Sequence, residues 1–153
     1  MKPVPVKPSA VRRILVPVDF SADPAGAVQQ AVELAQVCAS KVFLLHVLDL
    51  NFNSLEHGPV NAPKLHEEMY AEAMMKLGLL VEELVEARVA VCPLMREGLP
   101  CEEIAKAARA LGAELIVMRK RPRKSFWDLF HRNTVKAVLS KAPCPVLLIP
   151  AKN

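Results

Sequence analysis

Lys41-Val-Phe-Leu-Leu-His-Val-Leu48 is apolar at nearly every position. A strand with one wet face would alternate apolar and polar residues. A short continuous run instead suits a strand covered on both faces, as in a parallel sheet between helices. The rest of the chain agrees. Val11 to Val18 reads as a strand centred on Ile14-Leu-Val16, and Ala27, Val28, Ala31, Leu34, Ala35 and Cys38 then recur at helical spacing. Ser21 or Asp23 is placed to cap that helix, and Pro24 suits its first turn. Asp49 to Pro63 has Asn, Gly and Pro without a period and reads as a long loop. Lys64 to Glu86 reads as a helix, Arg88 to Met95 as a strand, and Glu97-Gly-Leu-Pro100 as a turn. Cys101 to Leu111 reads as a helix closed by Gly112. Glu114 to Met118 is a fourth strand, Ser125 to Lys141 mostly helix, and Val146 to Ile149 a last strand after Pro143-Cys-Pro145. This alternation predicts a single α/β domain, a doubly wound five-stranded parallel sheet with right-handed crossovers and helices on both faces.

In such sheets ligands bind beyond the carboxyl ends of the strands, where strand order reverses. The fourth strand opens there into Arg119-Lys-Arg-Pro-Arg-Lys124, and the last glycine in the chain is Gly112. Phosphate loops normally use glycine, which lets backbone N–H groups approach the oxygens closely. Whatever this loop does, it does with side chains. Arg119, Lys120, Arg121, Arg123 and Lys124 are therefore the anion-binding candidates. If the first and fourth strands are neighbours, Asp19 and Arg119 face one crevice and are expected to pair there.

Charge is unevenly spread. Residues 1–13 hold four Lys/Arg and no acid, and residues 119–153 hold nine and one acid. The body between them has seven basic and fifteen acidic residues, a net −8 within a chain of net +4. Such polarity favours an acidic partner or internal pairing. At 153 residues and 52% hydrophobic content the chain suits one domain with a real core. No apolar run approaches the ~20 residues of a membrane span. Met1 to Arg13 lacks the apolar core of a secretory signal. Residues 1–10, with Pro3, Pro5 and Pro8, are expected to be a flexible lead-in to a folded domain at 11–153.

The four cysteines, at 38, 92, 101 and 144, form no CxxC pair and read as reduced thiols. Cys101, at a polar helix start, is the best placed of the four to react, because a helix N-terminus lowers a thiol pKa, but a redox role is disfavoured. His46 sits inside the second strand and reads as a packed, hydrogen-bonded residue. His57 and His66 are too isolated for a metal claim, and His131 follows the aromatic cluster; no metal site is expected. Glu67, Glu68, Glu72, Glu82, Glu83 and Glu86 read as a solvated helix face. Phe126, Leu129 and Phe130 lie at helical spacing and suit a buried stripe, which leaves Trp127 for a partner. The same tract could stack bases or touch a membrane surface, but no nucleic-acid-binding motif supports it.

Five segments together carry a resemblance: Arg13-Ile-Leu-Val-Pro-Val-Asp-Phe-Ser21, Leu44-Leu-His-Val47, Glu97-Gly-Leu-Pro100, Ala113-Glu-Leu-Ile-Val-Met118 and Ala142-Pro-Cys-Pro-Val-Leu-Leu-Ile149. In order and spacing they resemble the universal stress protein family. The resemblance implies a Rossmann-like sheet, of the adenine nucleotide alpha hydrolase-like kind, in strand order 3-2-1-4-5. It also implies a cytoplasmic homodimer joined through the last strand, Val146, Leu147, Leu148 and Ile149. One branch of the family binds ATP through Gly-x2-Gly-x9-Gly-[Ser/Thr] after the fourth strand. Those positions here are Arg119, Pro122, Arg132 and Asn133, so the three glycines and the hydroxyl are absent. Asp19, matching the acid that contacts ribose or adenine, is kept, as are Pro17, Val18 and Val47 of the adenine-side wall; Met118 ends the fourth strand beside them.

Physics weighs both ways on these replacements. Arg119 and Arg132 add bulk where phosphates would lie, and Pro122 removes an N–H donor and fixes φ near −65°. Added charge would attract a polyphosphate. Charge cannot empty the volume the phosphates need, so no cofactor is expected and ATP or AMP is disfavoured. The reading is a dimeric regulatory or interaction domain with an unidentified protein partner, not an enzyme. The competing reading is a nucleotide or anion site rebuilt on the cationic loop, and a weaker one is nucleic-acid or membrane-surface binding.

Overall fold

The computed structural model describes residues 11–20, 24–49, 62–120 and 128–150, the side chains of 62 and 128–133 excepted. The strands are β1 (Arg13–Pro17), β2 (Lys41–Leu48), β3 (Ala90–Glu97), β4 (Leu115–Arg119) and β5 (Val146–Ile149). The helices are α1 (Ala25–Cys38), α2 (Ala62–Glu83), α3 (Pro100–Leu111) and α4 (Asp128–Lys141), with a 3-10 turn at Val85–Ala87. The five strands form one parallel sheet in the order β3-β2-β1-β4-β5, as the alternation and the resemblance had implied.

Side chains leave a strand to alternate faces, and the core follows that rule. Ile14 and Val16 of β1, with Val42 and Leu44 of β2 and Val117 of β4, pack against Ala27, Val28, Ala31 and Leu77 from α1 and α2. Leu15, Phe43, Leu45, Ile116 and Met118 point the other way, onto Ile104, Ala107, Ala108 and Val138 from α3 and α4. This two-sided burial is why β2 reads as an unbroken apolar run. Helix α1 meets the sheet through Ala27, Val28, Ala31, Val32 and Ala35, where small side chains permit close approach.

The ends of the elements differ from the sequence reading by a few residues. Pro24 is itself the N-cap of α1, without a side-chain cap, and Ser21 and Asp23 lie outside the described residues. Helix α2 begins two residues early, at Ala62, and stops at Glu83, where the chain tightens into the 3-10 turn and Arg88 takes a left-handed φ of 56°. β3 starts at Ala90 instead of Arg88 because that left-handed residue breaks the strand. Gly112 closes α3 at φ 61°, as the helix-stop pattern implied. Gly98 has φ 140°, and a Cβ there would stand 3.1 Å from Cγ of Glu103, so the Glu97-Gly-Leu-Pro100 turn needs glycine on two counts.

Candidate functional site at the strand ends

β1 lies between β2 and β4, so the switch point of the sheet opens between β1 and β4. Pro17 pairs with Leu45 in the β1–β2 ladder, and the ladder continues past the strand through Val18 N–H donating to the Leu45 carbonyl at 2.8 Å. On that register Asp19 lies level with Val47. β1 pairs with β4 through Ile14 with Leu115 and Leu15 with Ile116, a register that sets Val18 level with Arg119. The adjacent strand ends expected for Asp19 and Arg119 are therefore present. Val18 and Met118 are buried, Pro17, Val47 and Arg119 half-buried, and Asp19 exposed.

β4 extends one residue beyond the expected Met118, and Arg119 is its last member, paired with Ile149 of β5. The next amide, Lys120 N–H, donates to the Ile149 carbonyl at 2.8 Å. The first position of the glycine motif is thus a strand residue in a ladder. Of the remaining predicted residues, Arg121, Pro122, Arg123 and Lys124 lie outside the described residues, as do Phe126 and Trp127. Arg132 and Asn133 fall in the first half of α4.

His46 supports the crevice from below. Its Nδ1 is 2.9 Å from the Val18 carbonyl, which can only accept, so Nδ1 carries the proton. Its ring packs on Phe20 with centroids 5.0 Å apart, and Lys76 Nζ lies 5.8 Å from the Phe20 centroid. Burial lowers the His46 pKa from the ordinary imidazole value, and Lys76 adds to this against the Val18 hydrogen bond. The expected packed, hydrogen-bonded histidine is what the structure contains, and it belongs to the crevice because the next residue is Val47.

One expectation needs correction, and one histidine has partners that the sequence did not signal. Cys101 is the most buried of the four cysteines, at 8% exposure, because the second residue of α3 faces the sheet; it lacks the access a reactive thiol needs. Half-buried Cys144 has its thiol pKa raised by desolvation. His66 is not isolated. Its Nε2 lies 2.8 Å from Oε1 of Glu97, and its ring stacks on Tyr70 at 6.3 Å. The four residues His66, Glu67, Tyr70 and Glu97 line an open notch of about 390 Å³. His66 and Tyr70 are one helical turn apart, but Glu97 is 31 residues away, so no local motif signals the notch. Among the described residues no group of three or more His, Cys, Asp or Glu could hold a metal ion. None of their helices is long and apolar enough to cross a membrane.

Residues 10–150 match the universal stress protein family. The chain belongs to that family. It is 28% identical to universal stress protein MJ0577 of Methanocaldococcus jannaschii, over 93% of this chain and 96% of that one. The solved structure of MJ0577 superposes with a TM-score of 0.77, covering 94% of this chain and 99% of that chain. Universal stress protein UspA from Lactobacillus plantarum superposes at 0.74 with 27% identity, covering 92% and 99%. A universal stress protein from Archaeoglobus fulgidus in complex with dAMP superposes at 0.68 with 22% identity, covering 92% and 98%, a likeness of fold.

Proposed function

We propose that this chain is a universal-stress-type regulatory or interaction domain in which the nucleotide crevice no longer takes ATP. The observation that carries this reading is the end of β4. Arg119 stands in the ladder where the motif has its first glycine, and the Lys120 N–H is engaged by Ile149. A phosphate cradle depends on free loop amides at this point. The donor lost to Pro122 and the bulk added by Arg119 and Arg132 support the same conclusion. The domain is not an enzyme on this reading. Among the described residues no Ser or Cys is hydrogen-bonded to a histidine as an activated nucleophile would be.

The reading further places the protein in the cytoplasm as a homodimer joined through β5. β5 is an edge strand of four residues, with Val146, Leu148 and Ile149 half-buried and Leu147 37% exposed. An apolar edge of this kind needs cover. Sedimentation should show a dimer that Leu147→Arg dissociates; a wild-type monomer at all concentrations would exclude it.

The nucleotide question is settled by thermal titration with ATP, ADP, AMP and phosphate at low and physiological salt. No shift is expected, or one that phosphate reproduces and salt erases. Saturable stabilisation by ATP that survives salt would mean that Arg119, Lys120, Arg121, Arg123 and Lys124 have rebuilt the site.

A further inference from the structure

Helix α2 is apolar on two opposite sides. Ala73, Leu77, Leu80 and Val81 face the sheet, with Ala73 and Leu77 buried. Ala71, Met74, Met75, Gly78 and Leu79, at the i, i+3, i+4, i+7, i+8 spacing of a single helical stripe, are all exposed. Met74, Met75 and Leu79 are 44%, 61% and 53% exposed. A helix apolar on both sides is normally covered on both. Gly78 sharpens the point. A mid-helix glycine costs stability against alanine, and a Cβ at this position would meet nothing within 4 Å. Nothing in the described fold needs glycine there. What it leaves is a low saddle between Met74, Met75 and Leu79 that a partner's backbone can approach.

The two ends of this stripe are acidic. Glu67 and Glu68 precede it and Glu82 and Glu83 follow it, all exposed. Glu68 lies 4.0 Å from Lys64, whereas no described basic side chain pairs with Glu67, Glu82 or Glu83. At the first end the stripe runs through Tyr70 into the His66–Glu97 notch, where Glu67 and Glu97 flank an aromatic ring. Two carboxylates around a tyrosine suit a guanidinium, by charge and by its stacking on the ring.

We propose that this face of α2 docks a basic amphipathic helix of a partner protein. Its apolar residues lie on Met74, Met75, Gly78 and Leu79, its Lys and Arg meet the acids at both ends, and one arginine enters the notch. Methionine suits such a surface because its flexible, polarisable side chain adapts to the partner. From Glu67 to Glu82 the stripe is roughly 22 Å long, which matches a helix of about 15 residues. The same acids argue against other occupants. A second copy laid antiparallel would set Glu67 and Glu68 against Glu82 and Glu83, and anionic lipid headgroups would be repelled. The proposal uses none of the crevice residues Pro17, Val18, Asp19, Val47, Met118 and Arg119, so it stands whether or not a nucleotide binds there.

Fluorescence anisotropy of the full chain with a labelled synthetic helix of Leu, Lys and Arg, about 18 residues long with its leucines on one face, tests this. Saturable binding is expected at physiological salt. Gly78→Leu and Met75→Glu should each weaken it by about tenfold or more, Gly78→Leu without lowering the melting temperature. Glu97→Gln should weaken a peptide with arginine more than one with only lysine. A scrambled peptide of equal composition binding equally well, indifference to Gly78→Leu, or no saturable binding would each overturn the proposal. So would a sedimentation dimer that Met75→Glu dissociates, since a second copy would then own the face.

Discussion

On the β1–β2 flank of the crevice, Pro17, Val18 and Val47 leave the sheet from fully packed strands, and His46 ties the Val18 carbonyl in place. On the β4 flank, Arg119 and the Lys120 amide are held by the ladder to β5. The first flank keeps the residue types of a base and sugar wall. On the reading proposed above, the second has paired backbone and long cations where a phosphate loop would offer free amides. On that reading the two flanks are separable, and one can be lost while the scaffold of the other persists, because each is anchored to a different pair of strands.

The largest expected effect tests whether the first flank is structural. Leu45 is fully buried and its carbonyl receives the Val18 N–H. Leu45→Ala should cost about 2–5 kcal/mol by denaturant unfolding. A loss below that range would mean that this flank is not held by the core.

Restoring the second flank is the next step. Arg119→Gly, Pro122→Gly, Arg132→Gly and Asn133→Ser together should create saturable thermal stabilisation by ATP, about 2.7 kcal/mol at a hundredfold excess over Kd. Failure in a folded variant would show that the β1–β2 flank has also lost its fit, and the contrast between the flanks would collapse.

The smallest effect concerns His46. Its pKa is lowered in the folded state by burial, so the unfolded chain takes up a proton first as pH falls. Stability is then full above the unfolded value of about 6.5 and declines below it. His46→Gln, which keeps a donor for the Val18 carbonyl, should cost about 1 kcal/mol or less at pH 7.5. It should also flatten the fall in melting temperature between neutral pH and pH 5. An unchanged acid limb would show that carboxylates, not His46, govern it.

Most of the fold was legible in the chain, because the core is two-sided. Ile14, Leu15 and Val16 are all fully buried, and a strand buried on both faces leaves an unbroken apolar signature. Boundaries were less legible. Arg88 adopts a left-handed conformation that its type does not advertise, and it shifted the start of β3. Cys101 was misread for a similar reason. Its place in a helix start was visible, but the side of α3 that faces the sheet was set by packing.

The sequence by itself determined the alternation of elements, the family, and the absence of glycine after Gly112, since these depend on local pattern and residue type. Only the tertiary structure decided that Arg119 ends within a ladder, that His66 meets Glu97, and that Met74, Met75 and Gly78 face outward. Each of those depends on contacts or solvent access between residues far apart in the chain. An apolar helix position looks the same in sequence whether the fold turns it toward the sheet or away from it.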